Sequence, residues 1–288
     1  MELLVAGSIA LDSLEGPWGL VEEEPGGSAL YFALAASLST PVRVVAPVGT
    51  DAVDRVRNLL KSRPINLEGL DTLAAPTYRW RARQAAGHNQ QLDSCDDIYD
   101  VWRPRVPEGY AGWAFIGSMR PDLQLQVAQR LPAARLLAGD SMRSYVGSAP
   151  AEAAAFLGEC DWFFCNREEL EALGGDCRAP DDFRSRQSLQ GLCLKSGAGG
   201  ATLYTPDGSI HLGAISSHPV LDTTGAGDAL AGGFFSRWLT LGAQPSSLRE
   251  GLVYGVACAS IAIESIGVRA LFDATPATLA KRVAEVTS

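Results

Sequence analysis

Strand patterns and helix patterns alternate along most of this chain, and the alternation limits its fold more than any other feature. Apolar runs that predict buried strands occur at Leu3–Ala6, Val42–Val48, Trp113–Ile116, Arg135–Ala138, Trp162–Cys165 and Leu192–Leu194. Helical patterns lie between them at Ser28–Leu38, Ala52–Lys61, Pro121–Arg130, Ala151–Leu157 and Glu168–Leu173. The alternation predicts an α/β fold in which helices cover both faces of a doubly wound, mostly parallel sheet. Ligands of such a sheet bind at the carboxyl ends of its strands.

Two segments depart from this alternation and predict a smaller sheet beside the main one. Residues 13–24 are too few and too rich in glycine and proline for a crossover helix. Residues 77–100 include the run Tyr78–Arg83, whose period of two is typical of an exposed strand. No internal repeat or low-complexity linker divides the sequence. We therefore expect a single domain over residues 1–288, with projecting segments near residues 13–24 and 77–103.

Charge and composition exclude several classes of partner. With 33 acidic against 24 basic residues, the chain has a net charge of −9, which argues against binding to nucleic acid or to an anionic membrane. No apolar run approaches the roughly 18 residues of a membrane span, and the N-terminal run has no basic leader. The six cysteines are scattered without a Cys-x-x-Cys pair, which favours reduced thiols. We expect a cytoplasmic protein whose partner is a small molecule.

The segment Asp222–Asp228, with the sequence DTTGAGD, predicts a glycine turn that opens a helix. Glycines let the backbone approach a bound group, and a helix N-terminus carries about half a positive charge, so this turn suits an anion. Phosphoryl transfer to a hydroxyl needs donors for the phosphate charge and a base for the hydroxyl proton. We assign Asp228 as the catalytic base; the alternative is an ordinary N-cap carboxylate. The donors are then the backbone N–H groups of Gly225, Ala226 and Gly227.

The same segment closely resembles the C-terminal motif of the ribokinase-like (PfkB) carbohydrate and nucleoside kinases. Further segments resemble other motifs of that family in the same order, at Gly7–Asp12, Pro25–Ala29, Gly49–Asp51, Asn166–Glu169 and Lys195–Ala201. The resemblance covers most of the chain. It implies a ribokinase-like three-layer α/β/α fold with a small β-lid. It also implies an ATP-dependent kinase that phosphorylates a hydroxyl of a sugar or sugar-like small molecule.

On the acceptor side, the resemblance implies that Asp12 holds paired sugar hydroxyls and that Gly26 and Gly27 let the backbone approach the substrate. The alternative for Asp12 is a turn residue. The chain departs from the family pattern at Ala10 and at Leu30–Phe32, where many members carry asparagine. The missing polar contacts argue against ribose itself. They favour another polyol, a nucleoside, or a substrate with an aromatic or charged part.

On the nucleotide side, the resemblance implies that Lys195, Gly197 and Gly200 lie beside the phosphates and ribose of ATP. Many family members carry threonine at the position of Lys195. The lysine here either contacts phosphate or only ends a strand. Asn166 and Glu169 share one helical face at i, i+3 spacing, and the resemblance implies that they organise Mg²⁺ through water. The same spacing also fits a capping box.

Two further sites are predicted around the cleft. Asp222 and Thr224 match positions that help to hold a monovalent cation such as K⁺ in some relatives, although Asp222 could instead only fix the turn. Arg120 and Arg143 follow consecutive predicted strands, so we expect both at the edge of the crevice. Arginine there suits a carboxylate or phosphate on the acceptor. The alternative is a pair of solvent-facing loop arginines.

The leading interpretation is a sugar kinase that uses ATP and Mg²⁺. A nucleoside kinase of the same family and a catalytically silent sugar- or nucleotide-binding regulator remain alternatives. A Rossmann dehydrogenase is disfavoured because the first strand leads into Gly7–Ala10 without a Gly-x-Gly-x-x-Gly turn. A P-loop is excluded because the sequence has no Walker A motif. The lid offers a surface through which two copies would form a homodimer.

Overall fold

The described residues, 2–85 and 88–287 of a computed structural model, form a nine-stranded and a four-stranded β-sheet. The larger sheet contains β1 (Leu3–Ala6), β4 (Val42–Gly49), β5 (Ile65–Leu73), β8 (Trp113–Ile116), β9 (Leu136–Asp140), β10 (Trp162–Asn166), β11 (Gly191–Lys195), β12 (Ala201–Thr205) and β13 (Gly208–Leu212). Its strand order is β13-β12-β11-β10-β9-β8-β1-β4-β5. Strand β12 is antiparallel to its neighbours, whereas the other neighbouring pairs are parallel. The mostly parallel sheet predicted from the sequence is therefore confirmed.

Helices cover both faces of this sheet. They are α1 (Ser28–Ala36), α2 (Val53–Leu60), α3 (Ile98–Val101), α4 (Pro121–Gln129), α5 (Arg143–Ser148), α6 (Pro150–Gly158), α7 (Arg167–Ala172), α8 (Pro180–Arg186), α9 (Ala226–Thr240), α10 (Leu248–Ala262), α11 (Arg269–Asp273) and α12 (Pro276–Thr287). Val5 belongs to the core cluster that contains α1 and α9, whereas its neighbour Leu4 belongs to the cluster that contains α4 and α6. Central strands such as β1 and β8 are apolar because both of their faces are buried, which gives the expected three layers.

The four-stranded sheet forms the projecting lid. It consists of β2 (Ala10–Gly16), β3 (Gly19–Gly26), β6 (Tyr78–Ala85) and β7 (His88–Cys95), in the order β3-β2-β6-β7. Within β6, Tyr78 and Ala82 are buried whereas Arg81 and Arg83 are exposed, which confirms the predicted period of two. Alternate side chains of β6 therefore face the main body of the protein.

Asp51 anchors the lid to the main sheet. Its carboxylate accepts hydrogen bonds from the backbone N–H of Thr77 at 3.1 Å, the hydroxyl of Thr77 at 2.6 Å and the guanidinium of Arg79 at 3.0 Å. Burial acts to raise the pKa of Asp51, but these hydrogen bonds lower it below its ordinary value. The charged carboxylate thus fixes the start of β6, which gives the Gly49–Asp51 segment a structural role.

The structure adds to the predicted elements in several places. Strand β9 ends at Asp140 and β11 ends at Lys195, so each carries one polar residue beyond its predicted apolar run. Strands β5 and β13, at the two sheet edges, are not predicted from apolar runs, because β5 is interrupted by polar residues and β13 is largely exposed. The six cysteines are unpaired, as expected. Within the described ranges, no helix is long and apolar enough to cross a membrane.

Candidate active site

A pocket of about 220 Å³ lies between the carboxyl ends of the main-sheet strands and the lid. The main body contributes Ser8, Ser28, Ser118, Asp140, Lys195 and Asp228 to its lining, and the lid contributes Asp12, Tyr78, Trp80 and Asn89. The residues predicted to act as base and as acceptor ligand therefore face one common space. Its position at the carboxyl edge of the sheet is the one expected for a ligand of an α/β fold.

The DTTGAGD turn adopts the geometry that an anion site requires. Gly225 is the N-cap of α9 and has a φ of 71°, in the left-handed region that favours glycine. A Cβ atom at this position would lie 2.2 Å from the ring of Tyr31, so a side chain is excluded by space as well. The turn therefore presents the N-terminus of a 15-residue helix to the pocket, where its dipole favours a negative group.

Asp228 lies in the first turn of α9 and faces the pocket. Its Oδ1 atom is buried and has no hydrogen-bond partner within the described residues. Burial raises the pKa of Asp228 to about 6, with the charge of Lys195 lowering it and that of Glu169 raising it. The carboxylate is therefore mostly ionised at neutral pH and is a stronger base than an exposed aspartate, whose pKa is 3.8. These are the properties expected of a general base.

Asp12 enters the pocket from β2 of the lid and is only 2% exposed. Its carboxylate fits because residue 26 is glycine: a Cβ atom there would lie 1.8 Å from Asp12 Oδ2. Burial raises the pKa of Asp12 well above its ordinary value, and the charges of Asp222 and Asp228 raise it further. The carboxylate therefore lies in a negatively charged and dry environment, where hydroxyl donors would stabilise it.

Lys195 lies at the end of β11 among carboxylates. Its Nζ atom is 3.8 Å from Asp140 Oδ2 and 3.9 Å from Glu169 Oε2. The glycine turn is also close, since a Cβ atom at Gly227 would be only 2.9 Å from Nζ. Burial acts to lower the pKa of Lys195, but the charges of Glu169 and Asp140 raise it above its ordinary value. The side chain is thus a partly buried cation beside the turn.

Asn166 and Glu169 form the capping box that their spacing allows. Asn166 Oδ1 accepts a hydrogen bond from the N–H of Glu169 at 2.9 Å, and Glu169 Oε2 accepts one from the N–H of Asn166 at 2.7 Å. Glu169 also lines the pocket, and burial raises its pKa. The described residues contain no cluster of three or more His, Cys, Asp or Glu side chains suited to a metal ion. Mg²⁺ commonly keeps several waters and binds through one or two carboxylates, and Glu169 is a carboxylate of this kind at the pocket.

Asp222 ties the turn to the neighbouring loop. Its Oδ1 atom accepts hydrogen bonds from the N–H and the hydroxyl of Thr224, at 2.9 and 2.6 Å, and its Oδ2 atom accepts one from the N–H of Gly267 at 3.1 Å. Thr224 in turn accepts a hydrogen bond from Asn89 of the lid. The carboxylate of Asp222 therefore acts in fixing the turn, which is one of the two roles its position suggests.

The structure does not bring every predicted site residue to the pocket. The guanidinium of Arg120 pairs with Asp100 and Asp122, and that of Arg143 pairs with Glu168. Neither arginine lines the pocket. Their sequence neighbours Ser118, Ser141 and Met142 do line it. The strand ends therefore lie at the pocket as predicted, but the residues that face the pocket there are not the arginines. Gly197 and Gly200 lie in the turn between β11 and β12, outside the pocket lining.

An aromatic wall is the main feature that the sequence did not reveal. Tyr31, Tyr78, Trp80 and Tyr145 line the pocket although they come from α1, β6 and α5. The hydroxyl of Tyr31 and the indole N–H of Trp80 are buried and have no hydrogen-bond partner within the described residues. Burial raises the pKa of Tyr31, Tyr78 and Tyr145, so all three stay neutral. The wall thus offers apolar surface together with polar groups that have no hydrogen-bond partner within the described residues.

Comparisons with known proteins agree with this fold. The family model described as "pfkB family carbohydrate kinase" matches residues 112–275. An ATP-dependent ribose-1-phosphate kinase of Halopiger xanaduensis is 29% identical over 276 residues, which cover 89% of this chain and 87% of that protein. The crystal structure of a Methanocaldococcus jannaschii nucleoside kinase superimposes with a TM-score of 0.80 at 20% identity, over 99% of this chain and 98% of that one. A Vibrio cholerae fructokinase double mutant, bound to fructose, ADP and potassium, gives a TM-score of 0.79 at 18% identity over 98% of both chains.

The fold and the site together define a kinase of the ribokinase type, in which a glycine turn and a buried carboxylate face a lidded pocket. The chain belongs to the pfkB family of carbohydrate kinases, since the family model matches more than half of its length. It is an ATP-dependent phosphotransferase with a hydroxyl group as acceptor. Its relatives include proteins named as a ribose-1-phosphate kinase, a nucleoside kinase and a probable fructokinase, so their names differ in the acceptor.

Proposed function

We propose that the acceptor binds between Asp12 and Asp228, and that Asp228 removes the proton from the hydroxyl as it attacks the γ-phosphoryl group of ATP. The observation that carries the proposal is the buried, unpartnered Oδ1 of Asp228 in the first turn of α9, opposite the lid carboxylate in one pocket. Asp12 accepts hydrogen bonds from two hydroxyls of the acceptor and so orients it. The raised pKa of Asp228 suits a proton acceptor near neutral pH.

Stabilisation of the transferring phosphoryl group falls to the turn and to Lys195. The N–H groups of Gly225, Ala226 and Gly227 lie at the positive end of the α9 dipole, and the ammonium of Lys195 lies beside them. The loop with Gly197 and Gly200 continues from Lys195 and is proposed to hold the ribose and phosphates of ATP. Glu169 and Asn166 would hold Mg²⁺ through water. When bound, this ion supplies positive charge to the phosphates.

We propose a neutral acceptor with a flat, weakly polar part, which makes a nucleoside or a related ribosyl compound the best candidate. Within the described lining residues, Lys195 is the single basic side chain, against the acids Asp12, Asp140, Glu169 and Asp228. Such a pocket is unfavourable for a second anion besides the phosphates of ATP. Aromatic side chains such as Tyr78 and Trp80 instead offer stacking surface. A sugar phosphate is the second candidate, because the ribose-1-phosphate kinase is 29% identical.

Three further features are part of the proposal. Asp222 and Thr224 are proposed to contribute to a K⁺ site, which the potassium-bound fructokinase supports. The exposed side chains of Leu20 and Leu92 on the lid sheet support a homodimer through the lid. The net charge of −9 and the unpaired cysteines support a cytoplasmic location without nucleic acid or membrane partners.

The test is a panel of sugars, polyols, sugar phosphates and nucleosides assayed for acceptor-dependent ADP release with Mg-ATP. We expect turnover with neutral hydroxyl compounds and the highest kcat/KM with a nucleoside. The Arg120→Ala and Arg143→Ala variants should behave as wild type with such acceptors. A sugar phosphate as best acceptor, weakened in both variants, would move the assignment to an anionic substrate. ATP binding without turnover on any acceptor would favour the silent regulator.

A further inference from the structure

Asp140 is a buried carboxylate that no motif of the sequence assigns. It is the last residue of β9, it is 3% exposed, and it lines the pocket. Its backbone is held in place, because Gln124 donates hydrogen bonds to the carbonyl oxygens of Asp140 and Gly117, at 2.9 and 3.0 Å. Its Oδ1 atom has no hydrogen-bond partner within the described residues. A side chain of this kind is costly to bury and needs a compensating role.

This carboxylate forms an ion pair with the ammonium of Lys195. Asp140 Oδ2 lies 3.8 Å from Lys195 Nζ, and Glu169 Oε2 lies 3.9 Å from the same Nζ atom. Both distances exceed those of an N–H···O hydrogen bond, so neither carboxylate holds a donor of Nζ tightly. The ammonium is therefore attracted toward the two carboxylates while its donors remain available to the glycine turn, where Gly227 leaves space beside Nζ.

We propose that Asp140 is a positioning residue that holds the ammonium of Lys195 at the glycine turn, where this cation meets the transferring phosphoryl group. The inference rests on the proposed phosphoryl transfer at that turn. Lys195 is the agent that touches phosphate, and Asp140 acts through it. The flexible four-carbon stem of lysine explains why such a group is needed, since an ammonium without a fixed counter-charge adopts several positions.

Glu169 does not serve this purpose alone. Its Oε2 atom, the one nearest to Lys195, already accepts a hydrogen bond from the N–H of Asn166 in the capping box. That carboxylate therefore holds α7, and its place is set by the helix. The carboxylate of Asp140 caps no helix; its neighbours include the ammonium of Lys195 and the backbone N–H of Ser118. The charged groups around Lys195 are thus Asp140, Glu169 and Asp228, of which Asp140 is available to steer it.

The kinetic test is a double-mutant cycle with Asp140→Asn and Lys195→Met. We expect Asp140→Asn to lower kcat by about 10- to 100-fold, with the acceptor KM changed by less than about threefold, because a misplaced group slows transfer more than it weakens binding. In the Lys195→Met background, Asp140→Asn should have almost no further effect. The matched control is Asp207→Asn, in the exposed turn between β12 and β13. If the kcat losses of the two single variants multiply in the double variant, the proposal is overturned. A raised acceptor KM with kcat unchanged in Asp140→Asn would also overturn it, because Asp140 would then be an acceptor ligand.

A second readout does not depend on kinase activity. The chain has three lysines, Lys61, Lys195 and Lys281, so ¹³C-labelled lysine gives an NMR spectrum in which Lys195 can be assigned from the Lys195→Met variant. At a constant pH of about 7.5, we expect the ε-carbon signal of Lys195 to move in Asp140→Asn relative to wild type, because the ammonium leaves its place beside the carboxylate. The signals of Lys61 and Lys281 should be unchanged. A Lys195 signal that does not move would overturn the proposal. An absence of turnover in wild type would instead overturn the proposed function, whether or not the Lys195 signal moves.

Discussion

Asn89 of the lid donates a 2.7 Å hydrogen bond to the hydroxyl oxygen of Thr224 in the glycine turn. The same hydroxyl donates a 2.6 Å hydrogen bond to Asp222, whose other oxygen accepts the N–H of Gly267. The lid and the turn that faces phosphate are therefore linked by a continuous chain of hydrogen bonds. Asn89 also lines the pocket, so the link lies beside the space proposed for the acceptor.

Replacement of Asn89 by alanine should loosen the lid over the acceptor. We expect Asn89→Ala to raise the acceptor KM by roughly 2- to 10-fold, the effect of one hydrogen bond, and to leave the affinity for ATP nearly unchanged. Gln90→Ala, at an exposed neighbouring position in β7, is the matched control. Equal effects of the two variants on the acceptor KM would show that the Asn89–Thr224 hydrogen bond does not matter for binding.

Asp12 should determine acceptor binding and little else. Because its carboxylate is proposed to accept hydrogen bonds from acceptor hydroxyls, Asp12→Asn should weaken the acceptor by roughly 10- to 150-fold. Asp93→Asn, on the exposed face of the lid, provides the control. Steady-state KM values and equilibrium ATP binding measure the two effects. A loss of ATP affinity that matches the loss of acceptor affinity would show that Asp12 is misassigned.

Glu169→Gln should raise the Mg²⁺ concentration needed for half-maximal rate. Glutamine retains an oxygen that accepts the N–H of Asn166, so the capping box is kept while the charge near the phosphates is lost. Glu168→Gln is the matched control, since Glu168 is exposed and pairs with Arg143. A metal titration of both variants decides the point. If Glu169→Gln shows the same Mg²⁺ requirement as Glu168→Gln, the pair has only a capping role.

The sequence predicts those parts of the site that are made by local geometry. A glycine turn, a helix start and Asp228 within seven consecutive residues are enough to indicate the anion site. The capping box of Asn166 and Glu169 is equally local. For that reason the i, i+3 spacing predicts a capping box and a metal site equally well. The strand ends at the sheet edge were also found, because apolar runs with a period typical of buried strands are a strong signal.

The rest of the site depends on contacts between residues far apart in sequence. Asp140 approaches Lys195 only because β9, β10 and β11 are adjacent in the sheet, and no local pattern records that order. Tyr78 and Trp80 face the pocket because Asp51 anchors the start of β6 in one register. Arg120 and Arg143 do not line the pocket for a related reason. A position after a strand places the backbone of a residue at the cleft, but ion pairs with nearby acidic residues determine the direction of a long side chain.

The pH dependence of the rate should follow Asp228. Because the carboxylate must be ionised to act as base, kcat/KM should rise with pH through an apparent pKa of about 6 and fall steeply below it. The folded state binds this proton more tightly than the unfolded state, where the pKa is near 3.8, so ionisation of Asp228 reduces stability as pH rises from about 4 to 6. An acid limb near pH 4 would mean that the base is an exposed carboxylate.

The central claim is that Asp228 is the base, and the kcat of Asp228→Asn with the best acceptor tests it most directly. Asparagine keeps the shape of the side chain but cannot take a proton, so we expect kcat to fall by about 10²- to 10⁴-fold. ADP affinity should stay close to wild type, and thermal stability at pH 7.5 should rise, because a buried charge is removed from the first turn of α9. A folded Asp228→Asn variant that keeps more than about a third of the wild-type kcat, where base removal predicts a far larger loss, would contradict the account.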